Sequence, residues 1–409
     1  MDARDLDWLR SDAGERALAL ATARIAESAT ELAILDRLRR DHTPEQARAV
    51  LALLEGRRSA RVKFEDAARL FFDRESAEQA SAEVVARHTA ARFAGSRRIA
   101  DLGCGAGGDA LALAAHAPVL AVDRDATRLA LVAANAEVRG LPIEVAEASV
   151  EAFALPPDID AVWLDPARRD AGGRVRDPEQ WSPPLSVAVR IASSVPRAGI
   201  KVAPGIELSA VPADLPRGVE VEFISHEGTL VEAVLWFGAA VSASRRATVL
   251  AAHLEAGGAS IEGSTDTGMT PIGEPGAYLY DLDPSVGRAS LVDVVAPMLH
   301  AWRLDEHTAY LSGDEPPDAR GDSPFARRFR IDAWMPFAER RLRDALVDLG
   351  VTRVEVMRRA SPVDTNALET RLNRALASSG ARSGEQRVRT VALTRMGDAH
   401  VAIVCERER

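Results

Sequence analysis

The 409-residue sequence is poor in cysteine, in lysine and in long apolar runs. Its two cysteines, Cys104 and Cys405, lie far apart in the chain, which indicates a reducing compartment rather than a disulfide framework. Lys63 and Lys201 are the only lysines, so arginine carries almost all of the positive charge. No apolar run reaches the roughly 18 residues that a membrane helix needs. The acidic start, MDARDLDWLRSD, also lacks the basic-then-apolar order of a signal peptide. These absences predict a cytoplasmic protein without a membrane span.

The patterns of several enzyme classes are missing as well. The eight histidines form no cluster with metal-ligand spacing, which predicts that no metal is bound. Neither a G-x-S-x-G motif nor a P-loop is present, so hydrolase and nucleoside triphosphatase activities lack support. The remaining composition, 47% hydrophobic and 27% charged, is typical of a globular chain, and its length indicates several domains.

Charge is unevenly distributed along the chain. Residues 326–409 contain 17 arginines against 11 aspartates and glutamates, a net charge of +6, whereas the whole chain carries −10, which leaves −16 for residues 1–325. This asymmetry favours a C-terminal module that faces a polyanion. The alternative is a solvated helix surface in an arginine-rich protein.

The N-terminal residues 1–94 are predicted to form a helical domain. In HTPEQARAVLALLEG, Thr43 is a predicted N-cap, Gln46 completes a capping box, and Gly56 is the expected helix stop. The helical pattern then continues to Phe93.

A change of pattern at Ile99 predicts a different domain, over residues 95–238. Short apolar runs alternate there with helical stretches, which is typical of a doubly wound α/β sheet. Residues 239–325 begin with a stretch rich in Gly, Ser and Thr that predicts loops, followed by strand, helix and strand. Residues 326–409 are predicted to form a compact α+β unit.

The first strand of the α/β domain leads into a glycine-rich loop, IADLGCGAGGDA. It contains Asp101, Gly103, Gly105 and Gly107 in the order D-x-G-x-G-x-G, and Asp123 ends the second strand 20 residues after Gly103. Such glycines allow a sharp turn and the close approach of a ligand, and an acidic side chain at the second position can accept hydrogen bonds from ribose hydroxyls. A tight structural turn is the alternative. Dinucleotides and S-adenosylmethionine both remain candidate ligands, although the glycine spacing fits the latter better.

With the helix segment NAEVRGL, this region resembles the class I S-adenosylmethionine-dependent methyltransferases. The resemblance implies a Rossmann-like fold and S-adenosylmethionine as the cofactor. It also implies that Asp101 and the three glycines border the methionine part, that Asp123 holds the ribose, and that Ser149 accepts a hydrogen bond from the adenine amine.

The segment VWLDPARRD places Asp165, Pro166, Ala167 and Arg168 at the end of the fourth strand. It is similar to the Asn/Asp-Pro-Pro-aromatic motif of enzymes that methylate exocyclic base amines, with alanine and arginine at the last two positions. The resemblance implies that Asp165 borders the cofactor and orients the acceptor amine. Arg168 would stack on the base or bind a phosphate. The alternative is that Arg168 and its neighbour Arg169 pair with surface carboxylates.

Two further side chains are expected near the same end of the sheet. Trp181, in the loop DPEQWSPPL, is a candidate base stacker, or else belongs to a loop held by its prolines. Lys201, at the fifth strand, is the third catalytic candidate after Asp165 and Arg168, whereas Glu232 is expected to be structural.

The C-terminal segments GAYLYDLDPSVGRASLVDVV, SPFARRFRIDAWMPF and GVTRVEVMRR are similar to bacterial proteins that join such a methyltransferase to a ferredoxin-like segment and a THUMP-like domain. THUMP domains bind structured RNA, so the resemblance implies an RNA partner, tRNA or rRNA. The candidate phosphate contacts are Arg327, Arg328, Arg330, Arg358 and Arg359. The sequence thus predicts a methyltransferase acting on an RNA nucleobase; the alternatives are a methyltransferase of a small molecule or protein, and a non-catalytic RNA-binding protein.

Overall fold

The computed structural model describes residues 1–170, 173–211, 218–254, 257–264, 268–315, 323–378 and 387–408. The chain divides into two compact units, one of Met1–Val221 with Glu232–Ser242 and one of Glu222–Val231 with Ala243–Arg409. The predicted division into four domains is finer than this and stays a prediction. In the described part of the chain, no helix is both long enough and apolar enough to span a membrane.

The N-terminal part of the first unit is helical, as predicted. Its six helices are α1 (Ala3–Leu9), α2 (Asp12–Ala26), α3 (Glu31–Leu38), α4 (Pro44–Ala60), α5 (Arg74–Gln79) and α6 (Glu83–Ala91). The predicted capping box of α4 is confirmed, because Thr43 accepts from the Gln46 amide and the Gln46 side chain accepts from the Thr43 amide.

Two details of the helical prediction are wrong. Gly56 does not end α4, which continues to Ala60. A glycine is needed there because a Cβ atom would lie 1.9 Å from the Phe72 carbonyl oxygen, where the chain returns across the helix. The helical pattern also does not run unbroken to Phe93, since turns separate α4 from α5 and Asp73 caps a new helix by accepting from the Ser76 amide.

The rest of the first unit alternates strands and helices. In chain order it contains β1 (Ile99–Leu102), α7 (Gly108–Leu113), β2 (Val119–Asp123), α8 (Ala126–Arg139), β3 (Ile143–Glu147), β4 (Ala161–Leu164), β5 (Arg169–Asp170), β6 (Gly173–Arg174), α9 (Leu185–Ser193) and β7 (Arg197–Val202). The strands β8 (Glu220–His226) and β9 (Thr229–Gly238) follow, and β9 pairs antiparallel with β7.

Within this unit the strands lie in the order β9, β7, β4, β1, β2, β3. All neighbours from β7 to β3 are parallel, and β1 pairs with both β2 and β4. Every residue of β1 and β4 is buried, which is typical of a parallel sheet covered on both faces. The carboxyl ends of β1, β2, β4 and β7 therefore lie along one edge, where ligands bind in open α/β sheets.

The N-terminal helices pack against the sheet's own helices. Their hydrophobic core includes Leu131 and Ala134 of α8. The buried Asn135 side chain accepts from the Phe71 amide at 2.7 Å and donates to the Phe71 carbonyl at 3.0 Å. These bonds satisfy the backbone between α4 and α5 and fix the position at which α5 begins.

The second unit contains the remaining elements. They are β10 (Arg245–Leu250), β11 (Gly258–Gly263), β12 (Tyr278–Leu282), α10 (Pro284–Arg288), α11 (Val292–Met298), β13 (Trp302–Arg303), β14 (Tyr310–Gly313), β15 (Ala326–Pro336), α12 (Glu339–Asp348), β16 (Arg353–Arg358), α13 (Thr365–Ser378), β17 (Val388–Met396) and β18 (Ala399–Arg407). The glycine-rich stretch predicted as loops includes β11, which pairs antiparallel with β10, so that part of the prediction is wrong.

A seven-stranded sheet forms the C-terminal part, in the order β13, β14, β12, β15, β18, β17, β16. Helices α12 and α13 contribute Leu342, Leu346, Leu368, Leu372 and Leu376 to a core against this sheet. The edge strand β16 pairs parallel with β17. The predicted fold class is confirmed: a doubly wound α/β sheet follows a helical segment and precedes a small α+β region.

Candidate active site

The glycine-rich loop turns sharply between β1 and α7. Gly103, Gly105 and Gly107 have φ angles of +83°, +52° and +86°, which favour glycine. A Cβ atom on Gly103 would lie 2.9 Å from the Asp165 carbonyl oxygen, so the loop packs directly against the end of β4. The loop thereby offers a cradle of bare backbone next to the predicted acceptor residue.

Asp123, at the end of β2, is tied to this loop. One carboxylate oxygen accepts from the Gly105 amide at 3.0 Å and the other from the Asp125 amide at 3.0 Å. Asp123 is half-buried and lines a cavity of about 940 Å³ at the carboxyl ends of the parallel strands.

The cavity brings most of the predicted site residues together. Among its lining residues are Gly103, Gly105, Asp123, Ser149, Asp165, Arg168 and Lys201. Gly107 caps α7, and Asp101 lies buried within β1. Their individual roles stay predictions.

Lys201 is the centre of a buried ionic network. Its Nζ atom donates to Asp165 Oδ2 at 3.0 Å and to Ser81 Oγ at 2.7 Å. Asp109 Oδ2 lies 3.4 Å away and Glu232 Oε2 lies 3.7 Å away. We refer to Lys201 with the carboxyls of Asp101, Asp109, Asp165 and Glu232 as the Lys201 cluster.

Burial and the charges within the Lys201 cluster shift the pKa values of its members. Burial alone would lower the pKa of Lys201, but the carboxylates of Asp109, Asp165 and Glu232 outweigh it, and the pKa stays well above its usual value. Burial, reinforced by the charges of Asp109 and Asp165, raises the pKa of Asp101 well above the ordinary range. Burial also raises the pKa of Glu232 to about 8, against the attraction of Lys201. Lys201 is therefore charged, and two carboxyls resist ionisation.

Four carboxylate oxygens of the cluster are buried without a hydrogen-bond donor from any residue that the structure describes. They are both oxygens of Asp101, Oδ1 of Asp109 and Oε1 of Glu232. Buried acceptors without donors are costly. Of these residues only Asp109 lines the cavity, so its oxygen is the one that a cationic or donor-bearing ligand could reach. S-adenosylmethionine fits, because it carries a positive sulfonium and a positive ammonium beside a nucleoside. The glycine loop and Asp123 would hold the cofactor, and it would supply the methyl group.

Both lysines of the chain hold the same short segment. Lys63 Nζ donates to the carbonyl oxygens of Glu78 at 2.6 Å and Ala80 at 2.7 Å, while Lys201 binds the side chain of Ser81. Residues 78–81 line the cavity together with the end of α5. The helical N-terminal part thus forms one wall of the site.

Ser149 lies on the rim of the cavity, exposed after β3. Its hydroxyl donates to Glu151, which also accepts from the Ser182 hydroxyl at 3.0 Å. Because its proton is already engaged, the Ser149 oxygen is left as an acceptor. That arrangement suits the predicted bond from an adenine amine.

Arg168 lines the cavity beside Asp165 and is half-buried. Within the described ranges, its guanidinium makes no hydrogen bond or ion pair with a carboxylate. The side chain of Arg169 lies outside the described residues. Trp181 does not fit its predicted role as a base stacker, because its ring is buried and its Nε1 donates to the Val175 carbonyl at 3.2 Å. That prediction is wrong, and the alternative of a packed loop holds.

Three residues of the network were missed or misread from sequence. Asp109 follows the glycine loop without any pattern that distinguishes it from a helix-initiating acid, and Ser81 comes from the helical part. Glu232 was expected to be structural, yet it faces Lys201. No group of side chains suited to a metal ion occurs in the described ranges.

The predicted phosphate contacts in the second unit are mostly engaged within the protein. The pairs are Arg327 with Asp281, Arg328 with Glu408, Arg330 with Asp332 and Glu406, and Arg359 with Asp281. Arg358 donates to the backbone carbonyls of Ser361 and Val363. Arg359 and Arg327 together neutralise the buried Asp281, so these are in the main structural arginines.

A parallel sheet with a glycine loop, an acidic residue after β2 and an Asp-Pro after β4 defines a methyltransferase of the nucleoside-binding α/β type. Residues 99–167 match the family described as "Methyltransferase domain". An uncharacterized S-adenosylmethionine-dependent methyltransferase of Mycobacterium tuberculosis, found in two strains, is 35% identical over 352 residues, covering 83% of this chain and 89% of the relative. The chain belongs to the S-adenosylmethionine-dependent methyltransferases, and S-adenosylmethionine is its cofactor.

Two further regions match families. Residues 326–407 match "THUMP domain-like", and residues 2–60 match a domain of unknown function (DUF8688). One similar solved structure is a crystal structure described as a methyltransferase from Porphyromonas gingivalis. It superposes with a TM-score of 0.74 and covers 97% of this chain and 99% of that chain, at 19% sequence identity. That likeness shows a common fold along the chain.

Proposed function

We propose that this methyltransferase acts on RNA, and that its acceptor is a nucleobase of tRNA or rRNA in the cytoplasm. The observation that carries the proposal is the presence, in one chain, of a methyltransferase site and a THUMP-like domain. THUMP domains bind structured RNA, and residues 326–409 carry a net charge of +6. A polyanion with an accessible base fits both features.

In this proposal Asp165 orients the acceptor. Its Oδ2 atom accepts from Lys201 Nζ at 3.0 Å, which fixes the position of the carboxylate. An ionised carboxylate accepts hydrogen bonds only, so it suits an exocyclic amine. In the transfer, an N–C bond would form at the amine nitrogen as the S–C bond of the sulfonium breaks, which would leave a neutral thioether, and the amine proton would pass to solvent. Proximity and orientation supply much of the rate in such a transfer.

The phosphate contacts need a different location from the one predicted. Arg353, Arg374 and Arg387 are exposed, and none forms an ion pair with a described residue. Arg387 donates from one guanidinium nitrogen to the Leu349 carbonyl at 2.7 Å, which leaves its other nitrogens for a phosphate. The three arginines belong to one region, because Asn373 bonds both the amide and the carbonyl of Val354, and Thr352 bonds the Arg387 carbonyl. We assign the RNA phosphates to this basic edge, formed by Arg353, Arg374 and Arg387.

Salt-dependent binding tests the basic edge. Replacing its three arginines with glutamine should weaken RNA binding and make the log–log salt slope shallower by roughly 0.7 to 0.9 per lost phosphate contact. The matched control replaces Arg24, Arg37 and Arg48, each of which pairs with a carboxylate three or four residues away. An equal loss of RNA affinity in both triple variants would show that the total charge of the protein, and not the basic edge, determines binding.

Isotope-labelled transfer tests the function as a whole. The protein, with cofactor labelled in its methyl group, is incubated with total RNA, with protein extract and with small metabolites from the same cells. Label in RNA, recovered in a modified nucleoside after digestion, is the expected result. Label in the protein or metabolite fraction alone would overturn the RNA proposal while leaving the methyltransferase family intact.

A small-molecule acceptor is the second candidate. One observation favours it: no aromatic side chain lines the cavity among the described residues, although base-methylating enzymes of the Asn/Asp-Pro-Pro-aromatic type stack the base on one. Under the RNA proposal the planar guanidinium of Arg168 takes that place. Replacing Arg168 with alanine separates the two, because it should abolish transfer to RNA if the base stacks there.

A further inference from the structure

The Lys201 cluster has more negative groups than its one cation can neutralise. Three carboxyls, those of Asp109, Asp165 and Glu232, lie within 3.7 Å of a single ammonium. With Asp101, the cluster has four carboxylate oxygens without a donor among the described residues. A desolvated site cannot hold so many ionised carboxylates. Protons therefore reside on the cluster in the free protein near neutral pH.

Glu232 is a member of the cluster that lies behind Lys201 rather than at the cavity. It lies on β9, is 4% exposed and does not line the cavity, and its Oε2 atom lies 3.7 Å from Lys201 Nζ. Burial raises the pKa of Glu232 to about 8, which is close to neutrality. Glu232 thus lies close to Lys201 but not at the cavity surface, and it affects the charge of the cavity wall through Lys201.

The charges that face Glu232 come from several elements. Lys201 of β7 favours its ionised form, and so does Arg168 after β4. Asp109 of α7 and Asp165 after β4 oppose ionisation. These charges of both signs act on Glu232 through the cavity wall, so a charge added at the cavity acts on its protonation as well.

We propose that Glu232 is a charge-sensing residue of the cofactor site, which gives up its proton to solvent when the positively charged methyl donor binds and keeps it when the demethylated product binds. The donor and the product differ in charge at one atom, since the sulfonium becomes a neutral thioether. A positive charge near the cluster stabilises its ionised form. The inference concerns the cofactor and does not depend on an RNA acceptor.

The consequence is selectivity between donor and product that depends on pH. If donor binding releases a proton that product binding does not, the ratio of the two affinities should increase with pH up to about 8, by at most about tenfold per pH unit. Product would then be released more readily at the upper end of this range. Glu232 is a positioning residue in this scheme, as it touches neither ligand.

Titration calorimetry of the full-length protein tests the proposal. Binding of S-adenosylmethionine and of S-adenosylhomocysteine is measured at pH 7 and 8, each in two buffers of different ionisation enthalpy, which gives the number of protons released. The measurement is repeated with Glu232→Gln. The ligands' own amino groups titrate alike in both proteins, so the difference between wild type and variant isolates Glu232.

The expected result is a wild-type excess of released protons for the donor and a clearly smaller excess for the product. Glu147→Gln is the matched control, since Glu147 is an exposed carboxyl on β3 outside the cavity lining, and it should behave as wild type. Equal proton release for both ligands in the wild type overturns the proposal, whether or not the Glu232 variant folds. So does a Glu232→Gln protein that retains the wild-type excess.

Discussion

The ammonium of Lys201 lies 3.0 Å from a carboxylate oxygen of Asp165, and both side chains belong to the wall of one cavity. Lys201 comes from β7 and Asp165 from the end of β4, so the parallel pairing of these strands sets their separation. Asp165 belongs to the Asp-Pro motif that was recognised in the sequence. No motif in the sequence indicated that Lys201 would be its partner. The pair explains why one of the chain's two lysines lies in a buried position.

Replacing Asp165 with alanine should abolish methyl transfer while leaving cofactor affinity unchanged. Alanine removes the oxygens that accept a hydrogen bond from the acceptor amine, and a loss of about 100-fold or more in turnover is expected for a misoriented acceptor. Lys201 keeps Ser81 and Asp109 as partners, so the fold should persist. Calorimetry with S-adenosylhomocysteine and single-turnover transfer give the two readouts. Wild-type turnover in this variant would place the chemistry elsewhere.

Replacing Asp123 with alanine should weaken cofactor binding. It removes the predicted ribose contacts and the acceptor of the Gly105 amide, and hydrogen bonds to charged groups contribute about 1.5 to 3 kcal/mol each. At least a tenfold increase in Kd, roughly, is expected. Thermal shift with S-adenosylhomocysteine provides a second check, with Glu147→Ala as the exposed control.

Arg358 and Arg359 should differ in their effect on stability, although they are neighbours in sequence. Arg359 donates to the buried Asp281 at 2.7 Å, so Arg359→Ala leaves that carboxylate with less compensation and should cost about 1 to 3 kcal/mol. Arg358 is exposed and binds only backbone carbonyls, so Arg358→Ala should cost less than about 1 kcal/mol. Chemical denaturation of the two variants measures the difference. Equal values would mean that Arg327 alone neutralises Asp281.

The stability of the free protein should depend on pH through Glu232. Its pKa is raised from 4.5 to about 8 by burial, so the folded protein holds a proton that the unfolded chain has lost between these values. The stabilisation is present below the ordinary pKa and is lost as pH rises through about 8. Relative to Glu232→Gln, the wild-type free energy of unfolding should fall by up to about 1.4 kcal/mol per pH unit. Denaturation at pH 6, 7 and 8 measures this, and parallel curves would refute it.

The sequence was most informative where chemistry requires a fixed order of residues. The glycine loop, Asp123 and Asp165 could be found because turn geometry and strand ends place them one after another along the chain. Ser81 could not be found, since it reaches Lys201 from a helical segment 120 residues away. Gly56 was misread for a similar reason. Glycine is required at this position because the chain returns across α4 at Phe72, whose carbonyl oxygen leaves no room for a side chain.

Charge counts were informative about the C-terminal region as a whole but not about single side chains. The +6 of residues 326–409 is real, yet Arg327 and Arg359 are paired with Asp281, which lies outside that range. Only the folded arrangement shows which arginines form ion pairs within the protein. Under the RNA proposal, the phosphate contacts are therefore assigned to the basic edge.

The most direct measurement compares the RNA of cells that carry the wild-type protein with that of cells that carry only Asp165→Ala. Transfer RNA and ribosomal RNA are purified separately, digested to nucleosides and quantified by mass spectrometry. An RNA nucleobase methyltransferase predicts that one methylated nucleoside is lost from one RNA class in the variant cells and returns when the wild-type chain is restored. Identical nucleoside profiles in the two strains, with both proteins present at equal levels, would contradict the proposed RNA function.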